Sequence, residues 1–129
     1  MPPAPPDPAP PIAAGISPAV YAIARLNPSG RISARPALAA LDWGPGDAIA
    51  IAVRRGAIVV RPAEHTRRTI GAGNSLVLPI AARRMCAIPP GSSVLLVALP
   101  DADTLIIHPI AAIARLLARR HARILEGPS

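Results

Sequence analysis

Apolar residues alternate with small or polar ones from Val20 to Leu26, the two-residue period of a strand. The pattern breaks at Asn27-Pro28-Ser29-Gly30, a turn signal, and Arg31-Ile32-Ser33-Ala34 reads as a short second strand. Pro36-Ala37-Leu38-Ala39-Ala40-Leu41 reads as a short helix, with Pro36 suited to its first turn. Trp43-Gly44-Pro45-Gly46-Asp47 stops that helix. Ala48 to Val53 is then a strand, Arg54-Arg55-Gly56 a hairpin turn, and Ala57 to Arg61 the return strand.

The same order recurs. Thr69-Ile70 ends a strand, Gly71-Ala72-Gly73-Asn74 turns, and Leu76-Val77-Leu78 is short and extended. Pro79 opens a helix that runs to Cys86, and Ile88-Pro89-Pro90-Gly91-Ser92 stops it. Val94 to Leu99, a turn at Pro100-Asp101-Ala102-Asp103, and Thr104 to His108 form a second hairpin. Pro45-Gly46 falls on Pro90-Gly91 at an offset of 45, and Arg35 falls on Pro79 at 44. One extra residue, placed in the second helix or at its exit, reconciles the two offsets. Two copies in this order make an internal duplication, visible in turn chemistry more than in identical letters.

Four segments result: a Pro-rich tail over 1–18, a first repeat over 19–62, a second over 63–109, and a C-terminal segment over 110–129. The tail holds eight of the 18 prolines and little to bury, the composition of a disordered or polyproline-like segment. Pro62 to Thr66 links the repeats, too short a connection for independent domains. Each repeat has about 40 residues, below the size that sustains its own core, so the two are expected to share one. In the last segment Ile110, Ile113, Leu117 and Ile124 fall near helical spacing, with Arg115, Arg119, Arg120 and Arg123 between them. That is an amphipathic helix with a basic face.

Composition then narrows the function classes. The chain has 129 residues and a formal net charge of +7. All 14 of its cations are arginine. Arginine-only usage beside abundant Ala, Pro and Gly reads as the codon bias of a GC-rich genome, yet the planar fork still grips phosphate or guanine bidentately where lysine does not. Cys86 is alone, so no disulfide framework exists, as expected of a reducing cytosol. No apolar run approaches the roughly 18 residues of a membrane span, and no secretory signal is expected. His65, His108 and His121 have no partner at triad or metal spacing. Gly71-Ala72-Gly73-Asn74 lacks the Lys-Ser/Thr ending of a phosphate loop. Cys86 reads as a buried structural thiol and Trp43 as a lid on the core. No enzyme activity, cofactor or metal is expected.

Ser29-Gly30-Arg31-Ile32-Ser33, a short helix, Leu41-Asp42-Trp43-Gly44-Pro45-Gly46-Asp47 and a hairpin resemble the AbrB/MazE/SpoVT family of swapped-hairpin DNA-binding domains. Gly73-Asn74-Ser75-Leu76-Val77-Leu78-Pro79 is similar to the Gly-Asn-Ser version of antitoxin-like members. The likeness covers Val20 to Pro109. It departs at Arg35, where the family has Pro, at Ser92, where it has Asp, and at Ser75, which stands where the first copy has Arg31.

The resemblance implies a mainly β fold with short helices. Two tandem repeats would form a swapped-hairpin, β-barrel-like pseudo-dimer followed by the C-terminal helix. It implies a cytoplasmic, nucleoid-associated regulator of transcription that contacts double-stranded DNA. The family's DNA-facing positions fall approximately on Arg25, Arg31, Arg83 and Arg84. Arg35, Arg67 and Arg68 cluster beside the same turns, and Asn74 and Ser75 have groups that bond phosphate or base edges. Arg54-Arg55, at a hairpin tip, falls away from that face. Two further partners stay open: a second copy of the chain, meeting through the C-terminal helix, and a toxin protein. Toxin-blocking segments in the family are commonly acidic, whereas residues 110–129 carry four arginines and one acid.

Overall fold

A computed structural model describes residues 18–127 of the chain. All of the proline-rich tail except Pro18 lies outside the described residues. The elements run β1 (Val20–Arg25), β2 (Arg31–Ser33), α1 (Arg35–Leu41), β3 (Ile49–Arg54), β4 (Ala57–Pro62), β5 (Ser75–Val77), α2 (Ile80–Met85), β6 (Ser93–Leu99), β7 (Thr104–Pro109) and α3 (Ile110–Leu125). A single 3-10 turn at Pro100–Ala102 joins β6 to β7.

Five strands form one antiparallel sheet in the order β1-β6-β7-β4-β3, and β2 pairs with β5 in a separate two-stranded ribbon. Alternation along each strand sends one set of side chains inward. Ala22, Leu96, Ile107, Ile58 and Val53 form one continuous row across all five strands. Val20, Ala98, Leu105, Val60 and Ile51 form the next. The ribbon contributes Ile32 and Leu76 to the same core, and α1 contributes Ala37, Leu38 and Leu41. Helix α1 packs on β6 and β1, and α2 packs on β3.

Each hairpin, β3–β4 and β6–β7, pairs within its own repeat, and every other strand pairing crosses between the repeats. Strand β1 of the first repeat lies on β6 of the second, while Thr69 of the second bridges Ala48 of the first. Equivalent positions face each other in two places: Ile32 opposes Leu76 in the ribbon, and Val59 opposes Ile106 where β4 meets β7. Loop hydrogen bonds recur in matched pairs. Ala34 N–H donates to Asn74 O and Leu78 N–H to Gly30 O; Gly46 N–H donates to Ile70 O and Gly91 N–H to Leu26 O. The two repeats are thus related by an approximate two-fold in their pairing.

Three expectations need correction. The extra residue of the second repeat sits at the helix entry. Ala34 matches Leu78 in the ribbon bonds, yet the bond closing the first helical turn runs from Leu38 to Ala34 in one copy and from Arg83 to Pro79 in the other. Pro79 is the insertion. The strand expected to end at Thr69-Ile70 is reduced to one bridge, because the chain must turn back from β4 within a few residues. His65 takes a positive φ of 58° there, and Thr66 Oγ1 donates to Ile49 O. For the same reason the large sheet is open among the described residues, with β1 and β3 at its edges, and they do not form the expected barrel-like closure.

Helix α1 ends on Asp42 in the left-handed region, with Asp42 N–H on Ala39 O and Trp43 N–H on Leu38 O. Trp43 is 8% exposed, and its indole N–H donates to Asp103 Oδ1 at 2.8 Å across the repeats. Helix α3 covers part of the outer sheet face. A groove there is lined by Val59 and Ile106 from the sheet, Leu116 and Arg115 from α3, and Arg54 and Arg55 from the hairpin tip. Leu116, Leu117, Ile124 and Leu125 of α3 stay exposed. Among the described residues no helix is long and apolar enough to cross a membrane.

Asp103 also takes a positive φ of 49°. Asp103→Gly keeps that conformation but removes the acceptor, leaving the Trp43 N–H buried and unpaired. The expected loss is about 1–3 kcal/mol. Urea unfolding followed by Trp43 emission measures it. One transition common to both repeats is expected, since they share one core.

Candidate nucleic-acid interface

The outward side of the β2–β5 ribbon is built from two turns. In the first, Asn27 Oδ1 accepts hydrogen bonds from Ser29 N–H at 3.0 Å, Ser29 Oγ at 2.8 Å and Arg31 N–H at 2.8 Å. Asn27 N–H in turn donates to Arg31 O. The side chain of Asn27 thus fixes the backbone from which Arg31 projects, and Arg31 is exposed. In the second turn Gly71 N–H donates to Ser75 O in the matching place, and Asn74 holds a left-handed φ of 60°. The Asn74 Oδ1 is buried and has no partner among the described residues.

An arginine from the other repeat lies over each turn. A methyl group on Gly30 would stand 2.9 Å from the Arg83 guanidinium carbon. Arg83 Nε donates to Leu78 O at 2.9 Å, so this half-buried arginine is committed to bracing the first turn. A methyl on Gly73 would stand 3.9 Å from an Arg35 guanidinium nitrogen. Ser75 departs from the role expected of it: its residue is 9% exposed and its hydroxyl donates to Ala72 O at 3.1 Å. It closes its own turn instead of facing outward.

These contacts regroup the arginines. Those of one repeat do not stay together. Arg25 and Arg31 border the first turn, and α2 brings Arg83 and Arg84 of the second repeat to that same end of the ribbon. At the other end stands Arg35, on the helix that follows β2. Arg67 and Arg68 precede the second turn there, with Arg68 O accepting from Ile49 N–H. All of these except Arg83 are exposed. Arg54 and Arg55 lie with α3 beside the outer sheet face, which is the side opposite the core and the ribbon.

The two stretches that build the ribbon carry no carboxylate of their own, and the nearest acid by backbone contact is exposed Asp47, whose backbone O accepts from Ile70 N–H beside the second turn. Between Leu26 and Leu41, and again between His65 and Leu99, the chain contains no Asp or Glu. Two exposed apolar side chains, Val77 at 44% and Ile80 at 53%, accompany the arginines at the first end. Neither stands out in the sequence pattern as a surface residue. Their exposure follows from the strand's alternation at Val77 and from the first helical position at Ile80, which in the other copy holds exposed Arg35.

Groups suited to other chemistry are placed elsewhere. Cys86 is buried, and burial pushes its thiol above the ordinary range. His108 lies in the α3 groove, and burial lowers its pKa. Among the described residues no three of His, Cys, Asp and Glu come together as metal ligands would.

Gly30 combines a φ of +85° with the Arg83 contact. Gly30→Ala is expected to lose about 1–2 kcal/mol from the left-handed backbone alone, with the contact adding to it. Adding Arg83→Ala should return the contact part and leave the backbone part. A denaturation cycle over the four chains separates the two.

Comparison with protein-family models, with curated proteins and with solved structures gave no match to this chain.

Proposed function

We propose that the chain is a DNA-binding transcriptional regulator of the AbrB-like kind, acting without catalysis in the cytoplasm at the nucleoid. In this reading the two repeats are a swapped-hairpin pseudo-dimer carried in one polypeptide. The observation that carries the proposal is the ribbon: a surface fed by arginines from both repeats and flanked by long stretches with no carboxylate. Duplex DNA is a dense line of phosphates, and a rigid arginine-bordered ribbon is suited to sit on it. Phosphate contacts would fix position, and the exposed arginines nearest the grooves would read guanine edges. Arg83 supports this indirectly, since its guanidinium holds the turn that presents Arg31.

A second reading rests on a different surface. Helix α3 leaves Ile110, Leu117 and Ile124, spaced by seven and so on one face, exposed. That apolar face is what an antitoxin would lay on its toxin, or what a second copy of the chain would pair with. The arginines between those residues weigh against a toxin whose own surface is basic.

Neutralising about six phosphates would lower affinity on the order of 10³-fold between 50 and 200 mM salt. Fluorescence anisotropy with a labelled duplex tests this, and absence of binding at low salt removes the proposal. Arg31→Ala and Arg84→Ala should each weaken binding by about 1–3 kcal/mol with unchanged far-UV circular dichroism. Both residues are exposed, and among the described residues neither side chain makes a hydrogen bond.

A further inference from the structure

We infer that the chain recognises a DNA element that lacks inverted-repeat symmetry, because the arginines around its two-fold ribbon have no arginine at their counterpart positions. This rests on the DNA-binding reading above and goes beyond it. A symmetric protein reads a palindrome because identical residues stand at two-fold-related positions. Here the backbone relation is well kept, down to matched loop hydrogen bonds and self-opposed pairs at Ile32–Leu76 and Val59–Ile106.

The side chains do not follow it. In the turns and ribbon, Arg25 corresponds to Thr69, Arg31 to Ser75 and Ser33 to Val77. Arg67 and Arg68 correspond to Ile23 and Ala24. Beyond the Pro79 insertion, Arg35 corresponds to Ile80, Arg83 to Leu38 and Arg84 to Ala39. None of the seven arginines around the ribbon meets an arginine at its counterpart.

The two ends of the ribbon therefore offer different chemistry. One end presents exposed Arg31 and Arg84 beside exposed Val77 and Ile80. Arginine forks suit guanine O6 and N7, and bare aliphatic groups suit the thymine methyl. The other end presents Arg35, Arg67 and Arg68 with Ser33, while Ser75 is turned inward and Ala39 offers no polar group. The exposed aliphatic pair at the first end, suited to the thymine methyl, meets Ser33 and Arg35 at the counterpart positions of the second.

The test is selection of binding sites by the full chain from duplexes with a random core of about two helical turns, at about 50 mM salt. The mass of the complex gives the number of chains per duplex, so that symmetry created by a second chain is recognised. Arg31→Ala and Arg35→Ala are then measured against single-base variants of the selected site. The expected element under one chain is non-palindromic. Each variant should lose about tenfold in discrimination at one side only, and the two sides should be opposite. An inverted repeat under one chain, or loss at both sides from either variant, overturns the inference while the DNA-binding reading stands. Binding without any enriched sequence does the same. No binding to any duplex overturns both.

Discussion

Ile32 and Leu76 meet across the β2–β5 ribbon, both buried, and the rest of the molecule depends on that meeting. A repeat of about 40 residues cannot close a core alone. Each supplies a short helix and a hairpin but leaves them without a facing layer of its own. The ribbon joins the copies at their equivalent positions; β1 then lies along the second copy's hairpin, and the single Thr69 bridge touches the first copy's. Truncating either residue to Ala would remove packing worth about 2–5 kcal/mol from both copies at once.

That joint also sets where charge lies. Because the ribbon is antiparallel, the start of β2 lies beside the end of β5, and the helix after β5 is carried to the turn before β2. Arginines distant in sequence thus gather at one end, and Arg83 reaches Gly30 because that glycine has no side chain. The positive φ of Gly30 and the guanidinium above it are two parts of one arrangement.

Much of the order was legible in the chain, because turn residues and alternation act locally. Asn27-Pro28-Ser29-Gly30, Trp43 to Asp47 and the hairpins stand where their chemistry requires. What was not legible depended on the other copy. The place of the insertion was hidden, since Pro79 suits a helix start in either alignment and only the ribbon bonds of Ala34 and Leu78 distinguish them. The shortfall of the strand at Thr69 follows from how tightly the chain leaves β4. Of the candidate site, the arginines were visible as charge. Ser75 turning inward and Arg83 lying across a glycine were not, because both depend on contacts formed only after folding.

The few residues from Ala63 to Thr66 that join β4 to the second copy have a consequence for how the molecule behaves in a cell. Two separate chains built this way would be held together only by their concentration, and would part on dilution. A short peptide tether sets an effective concentration on the order of millimolar, whatever the number of molecules present. It also prevents exchange. Free subunits of one shape can trade partners with any relative of the same shape, giving mixed pairs. Two copies fused through Ala63 to Thr66 reach each other first, so this pair stays insulated from such mixing.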